Sequence, residues 1–431
     1  MKVDEWSICS EFDNILEDVR TENVPSEKIW VTKSSWEPLY DFEFDVNLDL
    51  KGEVGFYRRK SDKFSATKVS FDRVSAHLYE LSSYSGSGKT TKTKLATFQS
   101  PKRRFRLPSD IESVDLTSIH NTNAFDPEVR LVCGDSNGGV YVFKGDRGCG
   151  NGPLQPLVKL PEAHASHVTK TRFFPNGHGI LSSSIDMQLK IWDSLDGTAL
   201  RTFVGHTRAV NDFAMIDRGR NFVSGSSDGS LKLWECSTAA CIFTVKSDDG
   251  VNCVSLADYK GCTDSSSSGI GLDHSCEYNT EGKAVFAGHD SGIISFHDIY
   301  NRKKIFDIPS VDRSSCVSLS CPSAESGSHY LFAGYSNGIV LSWDTRDVSK
   351  PVETLFVNEN DPVSKLFLAH NSLNVASGVQ FAFSVPVNNG KYSYNKLKHF
   401  IRSNYEISDF CVDESHQEIW CAGNGGTLLK F

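Results

Sequence analysis

Residues 206–234 read HTRAVNDFAMIDRGRNFVSGSSDGSLKLW, and residues 164–192 read HASHVTKTRFFPNGHGILSSSIDMQLKIW, the same pattern in phase. His164, Ser182, Asp186 and Trp192 return 42 residues later as His206, Ser224, Asp228 and Trp234. The apolar positions keep that offset: Val168 with Val210, Leu181 with Val223, Leu189 with Leu231 and Ile191 with Leu233. Each copy holds short alternating runs (RFF, ILSSS, LKIW; DFAMI, FVSGS, LKLW) separated by Gly, Asn and Asp, which predicts four short antiparallel strands per copy.

A repeat of this length with a Trp on its third strand is the mark of a WD repeat, one blade of a β-propeller. The four signature residues can satisfy one another: the indole N–H of the Trp donates to the Ser hydroxyl, the hydroxyl reaches the His, and the other ring nitrogen donates to the Asp. Burying a Trp removes roughly 150–250 Å² from water, an upper bound on the order of 4–6 kcal/mol at about 25 cal/mol per Å². These eight residues therefore read as a structural blade network, and neither His as catalytic. The remaining copies align on the Gly that follows the Asp: Gly138 leads to Phe143, Gly229 to Trp234, Gly292 to His297, Gly338 to Trp343 and Gly426 to Phe431. With a weak copy near residues 376–383, whose SGVQFAF departs from the strand-turn-strand pattern, the count is seven. The expected fold is all-β, a seven-bladed WD40 β-propeller with a small N-terminal domain.

Two irregularities shape the domain plan. The long interval between Asp228 and Ser291 contains TDSSSSGIGLDHS, and residues 260–283 read as an exposed insertion. The chain stops at the third-strand position Phe431, so an earlier segment must supply the outer strand of the last blade; residues 92–99 (KTKLATFQ) are the expected donor. Residues 1–105 are then an N-terminal domain that includes this closing strand, with strand-like runs such as KIWVT and DFEFDVNLDL, and residues 106–431 are the propeller.

The formal net charge is −9, and the propeller region carries the excess of acid, which argues against a nucleic-acid platform. Twelve cysteines are scattered with no Cys-x-x-Cys, the start MKVDEWSICSEFDN is acidic where a signal peptide is basic then apolar, and no apolar run spans a membrane. The expectation is a soluble cytoplasmic and nuclear monomer with reduced thiols.

Residues 85–91 (SGSGKTT) approach a phosphate-cradling loop, but Ser83 stands where its first Gly belongs and the next stretch, KTTKTKLATF, is polar and β-prone; a Gly/Ser loop is the expected reading, with no cofactor. Residues 101–106 (PKRRFR) read as a solvated linker, or as a nuclear import signal or contact for an acidic tail. His164, His167 and His178 lack the further ligands of a metal site. Residues 343–346 (WDTR) resemble the adaptor-docking box of cullin 4 ubiquitin-ligase receptors, which makes a substrate receptor or scaffold of such a ligase the alternative function; a local Asp–Arg pair accounts for them as well.

The acidic residues of the loops that lead into the later blades form a more coherent set. Blades four to seven are entered through Asp248 and Asp249, Asp312, Glu359 and Asp361, and Glu406, with Asp290 on a turn of the same rim. Blades two and three are entered through His164 and His206, with Arg208 beside the latter. A rim negative over more than half its circle attracts a basic protein surface.

The wording between the signature positions, RFFPNG from Arg172, SSSIDMQLKIW from Ser182, AMIDRGRNFVSGSSDGSLKLWEC from Ala214, FAGYSNGIVLSWDTR from Phe332 and VNENDPV from Val357, resembles the proteasomal ATPase-associated factor family, closest to its fungal members. The resemblance covers residues 113–431 and implies a non-enzymatic assembly chaperone of the proteasome regulatory particle base. It implies that the partner is the C-terminal domain of one ATPase subunit, regulatory subunit 8, held within an ATPase-pair module until the ring is complete.

Overall fold

The computed structural model describes residues 2–4, 6–33, 40–49, 52–58, 68–85, 91–119, 128–145, 154, 156–259, 274–322, 329–358, 361–379, 381–401, 405–413 and 418–431. The N-terminal region opens with an antiparallel sheet of four strands, Trp6–Ile8, Ser26–Lys33, Tyr40–Leu48 and Val54–Arg58. The helix Phe12–Arg20 lies between the first two; Phe12, Ile15 and Val19, spaced three and four apart, form its buried face. Three further antiparallel strands come next, Lys68–Ser75, Leu78–Ser85 and Thr91–Gln99. An aromatic cluster joins the two groups, with Phe12 edge-on to Tyr79 at 4.9 Å and Phe56 edge-on to Phe71 at 5.0 Å.

Seven sheets then succeed one another along the chain, over residues 111–160, 168–204, 210–246, 251–308, 316–356, 363–400 and 407–430. Second strands are buried on both faces because neighbouring sheets cover them, and small residues permit the approach. A Cβ on Gly225 would stand 2.6 Å from Cγ1 of Val251, which opens the next sheet, and one on Gly134 would stand 2.5 Å from Cγ1 of Val168.

The first strand of each sheet lies at its edge, and side chains bridge it to the first strand of the next sheet. Between sheets one and two the Phe173 N–H donates to Asp115 (2.7 Å), between three and four Val254 N–H to Asp212 (2.9 Å), and between five and six Leu366 N–H to Ser318 (2.9 Å). Cys321 N–H donates to Ser255 (3.2 Å), Thr169 to the Val210 carbonyl (2.6 Å), and Ser364 to the Ile407 carbonyl (3.0 Å). Asp409 of the seventh sheet accepts from Val114 N–H (3.0 Å) and Ser113 (3.2 Å) of the first.

The strand that completes the last sheet is Arg103–Arg106, antiparallel to Thr427–Lys430, and this corrects the expected donor at residues 92–99. Thr91–Gln99 instead pairs in parallel with Lys398–Phe400, through His399↔Phe98 and Phe400↔Gln99, so the N-terminal strands continue the sixth sheet. Burial explains the exchange. Ala96 and Phe98 enter the N-terminal core beside Phe71 and Leu81, whereas Phe105 stacks on Trp420 of the last sheet at 6.0 Å. PKRRFR is therefore a strand rather than a linker: Arg104 pairs with Asp13 at 2.5 Å, Lys102 with Glu418 at 2.8 Å, and Arg106 lies over the Tyr405 ring.

One other expectation changes. In the sixth sheet Ser372–Ser377 and Phe381–Asn388 form a regular antiparallel pair; the irregularity is its fourth strand, only three residues long. Within the insertion at 260–283, residues 260–273 lie outside the described residues; the rest is largely exposed, as expected, and is anchored by a few side chains. The Asn221 side chain donates to the Cys276 carbonyl (3.1 Å) and accepts from Tyr278 N–H (2.8 Å), while the buried Glu277 carboxylate pairs with Arg302 at 2.6 Å.

Candidate functional site

In the second sheet Trp192 Nε1 donates to Ser182 Oγ (2.8 Å), Ser182 Oγ lies 2.7 Å from His164 Nε2, and His164 Nδ1 lies 3.0 Å from Asp186. The third sheet repeats these distances with Trp234, Ser224, His206 and Asp228, at 2.8, 2.7 and 3.0 Å. An ionised carboxylate only accepts, so Nδ1 carries the ring proton, Nε2 accepts from the hydroxyl, and the hydroxyl accepts from the indole. Burial alone would raise the Asp186 carboxyl; the hydrogen bond from His164, with the N–H groups of Ala165 and Gln188, outweighs it and holds the group at about 2. Burial lowers His206, partly offset by Asp228. The His, Ser and Trp of both networks are buried, and Asp186 and Asp228 are half-buried.

The rim is the edge where the lead-in loops meet the turns between second and third strands. Ser136 N–H donates to the Asp110 carbonyl (2.9 Å), Ser227 to Ala209 (3.0 Å), Asp290 to Gly250 (3.1 Å), Ser336 to Ser315 (2.9 Å) and Asn424 to Glu406 (3.0 Å). Asp248, Asp290 and Asp312 are exposed there. Asp290 accepts from the Asn252 side chain at 2.9 Å, and Asp312 from that of Asn337 at 3.5 Å. Asp249 and Asp361 are half-buried and serve their own loops. Asp249 accepts from both the backbone N–H and the hydroxyl of Ser291, and Asp361 accepts from Asn358 at 3.0 Å. Glu359 lies outside the described residues. Arg208 and Arg313 are exposed on the same rim and divide its negative sectors.

Two acidic rim residues escaped the sequence reading. Asp110 and Glu112 lead into the first sheet and stand beside Glu406 of the seventh. Burial raises the Glu112 carboxyl, His167 opposes that, and Asp110, Glu406 and Asp135 reinforce it. The signal was present in PSDIESV, at the place equivalent to the other lead-in loops. Glu112 and Glu406 line the mouth of a channel of about 910 Å³ between the first strands. In its walls Lys170 pairs with Asp212, Arg172 lies 3.7 Å from Asp115, and Lys365 lies 3.1 Å from Asp409. These inner charges are matched, so the unmatched acid stays on the rim.

The other motifs resolve locally. Ser85 and Thr91 pair across adjacent antiparallel strands, so SGSGKTT joins two strands and no helix succeeds it; residues 86–90 lie outside the described residues. Arg346 grips Asp344 with two hydrogen bonds, 2.9 and 2.6 Å, closing its own strand end. Among the described residues no group of three or more His, Cys, Asp or Glu is placed to hold a metal.

The family model "WD domain, G-beta repeat" matches residues 155–193 and 197–235. The chain is similar to the 26S proteasome regulatory subunit RPN14 of Saccharomyces cerevisiae, with 33% identity over 317 residues that cover 70% of this chain and 73% of that protein. Shorter similarities reach the mouse Pre-mRNA-processing factor 17, 42% identical over 87 residues (20% of this chain, 15% of that protein), and subunit I of yeast eukaryotic translation initiation factor 3, 27% identical over 188 residues (35% and 54%).

Proposed function

Since the chain belongs to the proteasomal ATPase-associated factor family, that of the yeast 26S proteasome regulatory subunit RPN14, we propose that it is a non-catalytic chaperone for assembly of the proteasome regulatory particle base. In this reading the seven sheets are the blades of one closed propeller. Its acidic rim receives the C-terminal domain of an ATPase subunit, regulatory subunit 8, within an ATPase-pair module. The protein acts as a monomer in cytoplasm and nucleus, binds neither nucleic acid nor membrane, and leaves when the ring is complete.

The observation that carries the proposal is the long match to RPN14, and the rim supplies a physical basis. Exposed Asp248, Asp290 and Asp312 create a negative field that speeds encounter with a basic surface and is screened by salt within about 10 Å at 0.1 M. The test is affinity isolation and mass spectrometry. Free ATPase subunits should be recovered in preference to mature 26S particles, and reversal of Asp248, Asp290 and Asp312 to Lys should abolish that recovery without unfolding the protein. Recovery of mature particles alone overturns the chaperone reading, and undiminished recovery by the triple variant removes the rim from it.

A further inference from the structure

At the position of Trp192 and Trp234 the fourth sheet has His297. Trp234 packs across a sheet boundary, in one core cluster with Leu189, Ile191 and Phe203 of the preceding sheet, its ring 5.6 Å from that of Phe203. One boundary further on, repeat counting places Leu231, Leu233 and Val245 at those three positions. Both ring-bearing positions have thus lost volume, Trp to His and Phe to Val. Between the third and fourth sheets there remains a cavity of about 430 Å³, lined by Leu231, Phe243 and Val245 on one side and His289, Ser295 and His297 on the other. That is within the range of ligand pockets, roughly 300–1,000 Å³. Gly229, Ser247 and Asp249, on the acidic rim, also line it.

The polar side of the cavity has a fixed direction. The Asp249 carbonyl can only accept, so His289 Nδ1, 3.3 Å away, carries the proton. His289 Nε2 then accepts from the Ser295 hydroxyl (2.7 Å), and Ser295 Oγ accepts from His297 Nε2–H (3.0 Å). His297 Nδ1 is left with a lone pair, and among the described residues no donor reaches it. The His297 side chain belongs to a residue only 6% exposed, and burial, reinforced by the charge of Lys304, lowers its pKa to about 4. The ring is neutral at neutral pH, and His297 lines the cavity.

We propose that this cavity receives one aromatic side chain of the polypeptide docked on the acidic rim, a Trp or Tyr whose N–H or O–H donates to His297 Nδ1. The inference rests on the rim reading above. Three features define the occupant. The space is the one an indole fills at the preceding boundary, His297 Nδ1 is an acceptor in the lining that no donor satisfies among the described residues, and exposed Asp248 beside it favours basic residues flanking the aromatic. Of the three cations in the lining, Lys304 is taken up by Asp307 at 2.6 Å and Arg302 by Glu277 at 2.6 Å, while exposed Lys246 works against that preference. Buried aromatic anchors of this kind dominate many interfaces.

The variant His297→Trp refills the space with the residue used in the second and third sheets, and Val245→Phe narrows it from the opposite wall with the residue found at position 203. Indole, monitored by NMR chemical shifts, is the probe for the cavity itself. Indole should bind the wild-type chain and neither variant, and each variant should weaken capture of the free ATPase subunit by about tenfold or more, as loss of one anchor does. The triple rim reversal should abolish capture and leave indole binding unchanged. Absence of indole binding overturns the cavity site. Indole binding with undiminished capture by both variants overturns the side-chain occupant and leaves the rim reading standing. Indole binding where the wild-type chain captures no ATPase subunit removes the rim reading, and the proposed occupant with it.

Discussion

Replacing Ser224 with Ala asks whether the blade network is held by its hydroxyl or only by the packing of Trp234. Ser224 is fully buried, Trp234 is 1% exposed, and the His206 side chain is inaccessible. The hydroxyl accepts from Trp234 Nε1 at 2.8 Å and stands 2.7 Å from His206 Nε2. Ala leaves almost no void, so the packing term is small and the polar terms decide. One donor and one acceptor lose their partners in a dry interior, each at about 1–3 kcal/mol, and with partial relaxation the sum is about 2–4 kcal/mol. The assay is urea unfolding monitored by tryptophan fluorescence, with hydrogen exchange of the strand Asn221–Ser226 as a local readout. The fifth sheet supplies the reverse experiment. Ala333 occupies the Ser position, and among the described residues the buried Trp343 Nε1 makes no close hydrogen bond, having only the Tyr335 hydroxyl near it. Ala333→Ser should therefore stabilise by about 1 kcal/mol. A Ser224→Ala loss below about 0.5 kcal/mol would refute the reasoning and assign the stability of the blade to the indole alone.

Asp409→Ala should cost about 3–5 kcal/mol, since it strands Lys365 at a buried site, leaves Arg172 with Asp115 alone and frees the N–H of Val114; thermal unfolding measures it, and a loss under about 1 kcal/mol would contradict it. Phe105→Pro should break the ladder between Arg103–Arg106 and Thr427–Lys430, and limited proteolysis should then cut near residue 430, where the wild-type chain resists. Asp186 is held at about 2 against an ordinary 3.8, so its contribution is complete above pH 3.8 and lost as pH falls from there towards 2; in Asp186→Asn the acid transition should be shallower across that window, as circular dichroism would show. Arg346→Ala should leave both capture of the ATPase subunit and stability nearly unchanged, because its exposed pair closes only its own strand end; loss of a cullin adaptor from pull-downs of this variant would instead favour the ligase alternative.

The two regular repeats were legible because one polar network dictates four residue types at fixed distances. Where the network dissolves, so does its signal. His297 and Ala333 satisfy the turn spacing but no longer announce what they pack against. The closing strand was misplaced for a different reason. Arg103–Arg106 is basic because Asp13, Glu418 and Tyr405 surround it, and these residues are distant in sequence, so its charge reads as solvation. The N-terminal region has no internal period, and its strands pair with the sixth sheet in a parallel register that composition does not encode. On the rim, lead-in positions were readable from repeat phase, and Asp248, Asp290 and Asp312 are exposed at them. Which acids are spent on their own loops, as Asp249 and Asp361 are, depends on the partners Ser291 and Asn358.

The pairing of Arg103–Arg106 with Thr427–Lys430 also has a meaning in time. During synthesis the segment around residue 103 leaves the ribosome early, and its partner emerges more than 300 residues later, as the separation of Lys102 and Glu418 by 316 positions shows. At roughly 5–20 residues per second the strand waits for tens of seconds with one edge unsatisfied. Its three arginines make it a poor template for other chains during that interval. The earlier sheets can form one by one, but the bonds from Asp409 to Ser113 and Val114 come only with the last of them, so the newborn chain matures in a single late step.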